Sequence, residues 1–290
     1  MAKLGQNFLI SKRIAQKMAD LAETGPKDIV LEIGPGRGIL TEELLKTGAR
    51  VVAVEKDPKL FDFLNKKFET FVLSSRLTLV RADIRDFFRG KNDKSRALTI
   101  SDKSTALVTL TVDKVVANIP YYLTGQILRL LLSETKFGIK MVVLMLQKEV
   151  AKRIVADQSR VLTISDKSTA LVEKKEKKSV LSISVQAYAD PKIAFLVKKG
   201  NFWPQPKVDS AVVVFKRREK DFFRQHKISQ EGFFDIVKAG FSHPRKLLKN
   251  NLKGLLDIGC RVKCGVKENA RAEDLSLENW ACLAKNIPKL

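Results

Sequence analysis

A chain of 290 residues with 44% apolar content can bury a sizeable core, as one large domain or a large one with a small one. Its formal charge of +22, from 54 basic and 32 acidic residues, disfavours a compact chain unless a polyanion neutralises it, so nucleic acid is the expected partner. Membrane attachment is set aside, because the basic residues are spread along the chain and the longest apolar run, Met141 to Leu146, is far too short to span a bilayer.

The amino terminus has no apolar core for export, so a cytoplasmic protein is expected. Gly5-Gln6-Asn7-Phe8-Leu9-Ile10 leads into Ser11, a candidate N-cap for a helix with Ile14, Met18 and Leu21 on one face. Gln6 and Asn7 lie outside that face; the residues alone do not choose between cap-like loop positions and ligand contacts. Ile29 to Ile33 reads as a central strand, followed by the tight turn Gly34-Pro35-Gly36-Arg37-Gly38 and a helix with Leu40, Leu44 and Leu45 inward. Arg50 to Val54 is the next strand, ending at Glu55, about 20 residues after Gly34, the separation at which a carboxylate at the second strand's tip reaches ribose hydroxyls. The Gly-x-Gly-x-Gly spacing, and the acid Glu32 just before the turn, favour S-adenosylmethionine over a dinucleotide. Asp57-Pro58 opens another helix, and a strand from Leu77 to Val80 leads to Asp83. Asp83 is an ordinary turn residue or an acceptor for a cofactor adenine amine; three strand tips in succession favour the second reading.

The fourth tip organises the rest. The buried run Val115-Val116-Ala117 ends in Asn118-Ile119-Pro120-Tyr121, with Tyr122 behind it. The Asn118 side-chain oxygen and the Ile119 carbonyl can both accept hydrogen bonds from one amino group, and an aromatic ring directly after them can stack on a flat base. Read alone, the stretch could equally be a structural strand-to-helix corner.

The ordered set GQNFL (5–9), EIGPGRG (32–38), VEKD (54–57), RAD (81–83), NIPY (118–121), LQKEVAKR (146–153) and FWPQPKVDSAVV (202–213) resembles the small-subunit ribosomal RNA adenine dimethyltransferases, the KsgA family. The resemblance implies a Rossmann-like class I methyltransferase sheet with helices on both faces, plus a small all-helical C-terminal domain. It implies that Gln6, Asn7 and Leu9 help close over S-adenosylmethionine, that Gly34 and Gly36 line its amino-acid part, that Glu55 takes the ribose hydroxyls and that Asp83 meets the adenine amine. It further implies that Asn118 and Ile119 hold the target N6 in the turn stiffened by Pro120, with Asn118 also bordering the cofactor, and that Tyr121 and Phe202 sandwich the target base. The implied activity is dimethylation of two adjacent adenosines of small-subunit ribosomal RNA or the pre-ribosomal subunit, by a monomer. A large-subunit adenine dimethyltransferase conferring antibiotic resistance shares the core motifs, and a non-catalytic assembly factor could use the same scaffold.

Two segments fall outside the resemblance: 95–108 (SRALTISDKSTALV) and 159–172 (SRVLTISDKSTALV) match at 13 of 14 positions. At two non-equivalent positions they are not a solenoid; each reads as a solvated insertion, with a small hairpin or an RNA contact as further readings. Val180 to Val185 reads as the following strand, and Ala187 to Val197 and Ala211 to Lys216 as the last strands. A domain boundary is placed at 218, giving 1–218 as methyltransferase domain and 219–290 as helical RNA-binding domain. There, helix 229–239 buries Phe233, Phe234 and Val237, and a helix capped by Ser242 groups Arg245, Lys246, Lys249 and Lys253, suited to phosphate contacts. Arg271 to Ala284 reads as the final helix, with Trp280 as core filler. Cys260, Cys264 and Cys282, with His226 and His243, form no convincing metal-ligand set, and so sparse and odd a cysteine count suits a reducing compartment.

Overall fold

Strands buried on both faces need no polar alternation, which is why the apolar runs become one sheet. β1 (Ile29–Ile33), β2 (Arg50–Glu55), β3 (Leu77–Arg81), β4 (Lys114–Asn118), β5 (Met141–Gln147), β6 (Ala189–Val197) and β7 (Ser210–Arg217) lie in the order β3-β2-β1-β4-β5-β7-β6. The five strands from β3 to β5 pair in parallel, and β7 runs antiparallel to β5. This is a computed structural model, and it describes residues 7–89, 98–100, 108–110, 112–134, 138–156 and 177–287. Chain connections leave β1 toward β2 on one side and β4 toward β5 on the other. The adjacent tips of β1 and β4 therefore flank the crevice where open α/β sheets bind ligands.

Contacts group the chain into two units: residues 1–148 with 193–217, and residues 149–192 with 218–290. In the first, Val30, Val51, Ala53, Val116, Val143 and Val212 join one core cluster with Met18, Leu44 and Leu64 from the helices Lys12–Leu21, Ile39–Lys46 and Pro58–Lys67. Leu31, Val52, Val115 and Leu144, which alternate with them along the strands, are buried as well, so both faces are covered. Local chemistry sets the helix starts: Pro58 occupies the first turn, and Asp57 caps it by accepting from the Lys59 and Leu60 amides. Phe8–Leu9 forms a small separate ribbon with Phe202–Trp203.

In the second unit, helices Phe222–His226, Gln230–Gly240 and Leu277–Asn286 surround Phe222, Phe223, Phe233 and Trp280. The edge-to-face rings of Phe222, Phe223 and Phe233 lie 5.5–5.6 Å apart. A single cut at 218 does not describe the grouping, because Gln186 donates to the Ile154 and Ala156 carbonyls and Ile183 and Ala187 join this core.

Several elements differ from the sequence reading. Val180–Tyr188 is a helix rather than a strand: Ser179 and Ser182 form a reciprocal capping box, and the i, i+4 pair Ile183 and Ala187 faces the phenylalanine core. The helix expected after Ser242 is only Leu248–Asn251. Pro244 disfavours helical backbone at His243, and the loop is held instead by Asn251, whose side chain donates to the Gly240 and His243 carbonyls. The final helix starts at Leu277, after a short 3-10 turn at Ala272–Asp274, because Ser276 and Asn279 cap it. Although the cysteine count suits a reducing compartment, Cys264 and Cys282 are joined in a disulfide, and Cys260 is free. The repeat at 159–172 lies outside the described residues. In the 95–108 region, Leu98–Ile100 pairs antiparallel with Val108–Leu110, and the rest of that repeat lies outside the description.

Candidate active site

Between the tips of β1 to β4 lies an open cleft enclosing about 890 Å³, solvent included. β1 enters the turn Gly34–Gly38, where Gly34 and Gly36 hold φ of +64° and +59°, a backbone that side-chain-bearing residues rarely adopt. A Cβ on Gly36 would stand 3.0 Å from the Phe8 ring, so that glycine packs the ribbon against the turn. A Cβ on Gly34 would meet nothing within 4 Å; it would project into the cleft, where bare backbone lets a ligand approach. Arg37 ties the same corner together, its guanidinium 5.4 Å from the Phe8 ring centre and 5.2 Å from that of Trp203.

Glu55, at the tip of β2, is buried, with Oε2 accepting from the Gly36 amide at 3.3 Å and Oε1 from the Asp57 amide at 2.9 Å. Burial pushes its carboxyl up, and the backbone donors oppose that shift. Glu32, two residues before Gly34, is buried more deeply; loss of solvent raises its pKa to about 8, and Oε2 has no partner among the described residues. Asp83 follows β3. Its Oδ1 accepts from the Arg85 amide (3.0 Å) and Nε (2.9 Å), and its Oδ2 from Arg85 Nη2 (2.7 Å) and Lys56 Nζ (2.8 Å). The Arg85 guanidinium, followed by Lys56, holds this carboxyl well below the usual range.

At the tip of β4, Asn118 Nδ2 donates to the Asn7 carbonyl at 3.2 Å. That bond fixes the amide so that Oδ1 is the atom left to accept from a ligand. Ile119 and Pro120 continue the cleft wall, and Tyr121 is anchored at both ends. Its hydroxyl lies 2.6 Å from Ser210 Oγ on β7, and its carbonyl accepts from Thr124 Oγ1 at 2.9 Å. Burial raises the Tyr121 phenol, so it stays neutral and serves as a ring surface and hydrogen-bonding group.

Asn7, Gly34, Gly36, Glu55, Asp83, Asn118, Ile119, Pro120 and Tyr121 thus line one cleft. Gln6 lies outside the described residues. Leu9 and Phe202 do not line it: they face each other across the ribbon, 5% and 3% exposed, inside the core. Side chains alternate along a strand, so their neighbours Phe8 and Trp203 point the other way; Phe8 reaches the cleft and Trp203 reaches Arg37. Arg245, Lys246 and Lys249 belong to the second unit and are exposed, Lys249 pairing with Glu268 at 3.1 Å. Among the cleft residues the sequence reading passed over are Lys56, Leu60 and Ile84; Lys56 and Ile84 each follow a recognised tip directly, and that adjacency was the available signal. Among the described residues no group of three or more side chains is placed to hold a metal.

A nucleoside fits this donor and acceptor set: an acidic tip for a diol, a second acid for an amine, apolar side chains at Leu60 and Ile84, and the open backbone of Gly34. A family model described as ribosomal RNA adenine dimethylase matches residues 1–289. The chain belongs to the ribosomal RNA adenine dimethylase family. It is 36% identical over 283 residues to ribosomal RNA small subunit methyltransferase A of Dehalococcoides mccartyi, covering 96% of this chain and 84% of the relative. It is likewise 36% identical over 299 residues to the protein of that name from Lactobacillus acidophilus, covering 98% and 90%. Two solved structures share the fold. A dimethyladenosine transferase from Plasmodium falciparum aligns with TM-score 0.65 at 21% identity over 95% of each chain. The 23S rRNA methyltransferase ErmE aligns with TM-score 0.67 at 22% identity, over 97% of this chain and 99% of that one. The seven-stranded sheet is that of the class I methyltransferase fold, and the cleft lies at its strand tips.

Proposed function

We propose that this protein transfers methyl groups from S-adenosylmethionine to N6 of two adjacent adenosines in small-subunit ribosomal RNA, giving N6-dimethyladenosines during ribosome biogenesis. One observation carries the reading: Glu55, Asp83, Asn118 and Tyr121, from three strand tips and the turn beyond β4, open onto a single cleft. When bound there, S-adenosylmethionine supplies an electrophilic methyl group on sulfonium. Glu55 accepts from the ribose hydroxyls, Asp83 from the adenine amine, and the Gly34 backbone admits the amino-acid part.

The target amine is a poor nucleophile, since its lone pair is delocalised into the purine ring. Asn118 Oδ1 and the Ile119 carbonyl accept its two N–H bonds, which favours a pyramidal nitrogen and frees that pair. Tyr121, held by Ser210, supplies the ring surface on which the flipped base stacks, recovering part of the few kcal/mol spent unstacking it. Orientation supplies much of the rest, since well-placed reactants gain up to ~7–11 kcal/mol of barrier reduction. No histidine lines the cleft, and the mechanism needs no strong general base.

The RNA-binding role of Arg245, Lys246 and Lys249, action as a monomer and a cytoplasmic location belong to the same proposal. The exposure of those cations supports the RNA-binding role, and among the described residues no helix is long and apolar enough to cross a membrane. The deciding experiment incubates the protein with unmodified ribosomal subunits and methyl-labelled S-adenosylmethionine and maps the product. Label on two adjacent small-subunit adenosines is expected. Label on large-subunit RNA would replace the substrate assignment, and no transfer to either would leave a non-catalytic RNA-binding protein.

A further inference from the structure

Asp83 holds more donors than its proposed role leaves room for. A carboxylate offers roughly four lone-pair sites, and all four are engaged, three by Arg85 and one by Lys56. To accept from the cofactor's adenine amine, Asp83 must release one. Arg85 is held by its own amide and by a two-point guanidinium fork from two residues away. Lys56 reaches across from the β2 tip with a single contact on Oδ2, and its side chain is 71% exposed. Lys56 is the donor that can leave.

We propose that Lys56 is a positioning residue that couples the two substrates. Without cofactor it is paired to Asp83; with cofactor bound, its ammonium is released at the cleft mouth to meet a backbone phosphate of the incoming RNA. The inference rests on the proposed role of Asp83 toward the adenine amine. Lys56 lines the same cleft as the Asn118–Leu123 turn that receives the target base, and Tyr122 within that turn is exposed, so the released cation faces the side from which RNA enters. The lysine paired with Asp83 becomes an RNA contact only when there is a methyl donor to use. Coupling of this kind is reciprocal: whatever factor the cofactor adds to RNA affinity, RNA adds to cofactor affinity.

The test measures binding rather than turnover. A fluorescent single-stranded RNA with two adjacent adenines is titrated with the full-length protein, with and without saturating S-adenosylhomocysteine, across a salt series. For the wild type, S-adenosylhomocysteine should tighten RNA binding about 5-fold or more. It should also steepen the salt slope by ~0.7, the increment for one further phosphate contact on a single strand. Lys56→Gln should bind S-adenosylhomocysteine as well as or better than the wild type, and its RNA affinity and salt slope should no longer respond to it. Lys56→Arg should retain the response. Coupling that persists in Lys56→Gln overturns the switch and leaves the methyltransferase reading intact, whereas failure of the wild type to bind S-adenosylhomocysteine overturns both.

Discussion

Asn118→Ala is the most incisive perturbation of the site. The substitution removes two things: the Oδ1 acceptor aimed at the target amine, and the Nδ2 donor that bonds the Asn7 carbonyl at 3.2 Å. Loss of one preorganised polar contact to the reacting group costs about 2.7–4 kcal/mol, or roughly 10²–10³-fold in the transfer step. Loss of the second bond falls on the amino-terminal segment beside the cofactor. At about 0.5–1.5 kcal/mol it should weaken cofactor binding no more than roughly 10-fold. Single-turnover transfer of labelled methyl to unmodified small subunits, run beside calorimetric titration with S-adenosylhomocysteine, separates the two. Asn118→Asp is the control, since it keeps an acceptor but sets oxygen against the Asn7 carbonyl. Transfer by Asn118→Ala at the wild-type rate would refute the amine-gripping role, and a cofactor defect as large as the rate defect would reassign Asn118 to cofactor binding.

Ser210→Ala removes the partner of the Tyr121 hydroxyl and should slow transfer roughly 2–10-fold, as expected for one net hydrogen bond, with cofactor affinity unchanged in calorimetry. Gly34→Ala places a methyl group in the cleft on a backbone at φ +64°; strain of about 1–2 kcal/mol should lower the melting temperature modestly, while S-adenosylhomocysteine titration shows a larger loss. Glu32 has its pKa raised from 4.5 to about 8 in the fold, so the native state binds more protons than the unfolded chain between those values. The stabilisation by the neutral buried carboxyl is complete below pH 4.5 and is lost as pH rises through about 8. Glu32→Gln should flatten the pH dependence of the melting temperature across that window, and an unchanged profile would show that Glu32 does not titrate there.

The sheet was legible because the parallel strands carry apolar runs, and three of them lead into a polar residue at the tip: Glu55, Asp83 and Asn118. Local caps were legible too, Asp57-Pro58 above all. Neither motif resemblance nor periodicity says which side chains face the core. The resemblance puts Leu9 and Phe202 at the ligands, but in the two-residue ribbon both side chains turn to the core. Val180 to Val185 carries an alternation of apolar and serine residues compatible with a strand; a capping box and a phenylalanine cluster decide for helix. The Lys56 to Asp83 ion pair joins residues 27 apart in sequence, and only the parallel pairing of β2 and β3 brings them together.

The pairing of Phe8–Leu9 with Phe202–Trp203, with Arg37 clasped between the two outward rings, means that the rim of the pocket is built from opposite ends of the first unit's sequence. Tyr121 likewise leans on Ser210 of the late strand β7. During synthesis, the sheet centre can form while the ribosome is still extending the chain, but neither the rim nor the anchored tyrosine can assemble until these late segments emerge. A nascent dimethylase therefore completes its pocket only after the segment from Phe202 to Ser210 has left the exit tunnel.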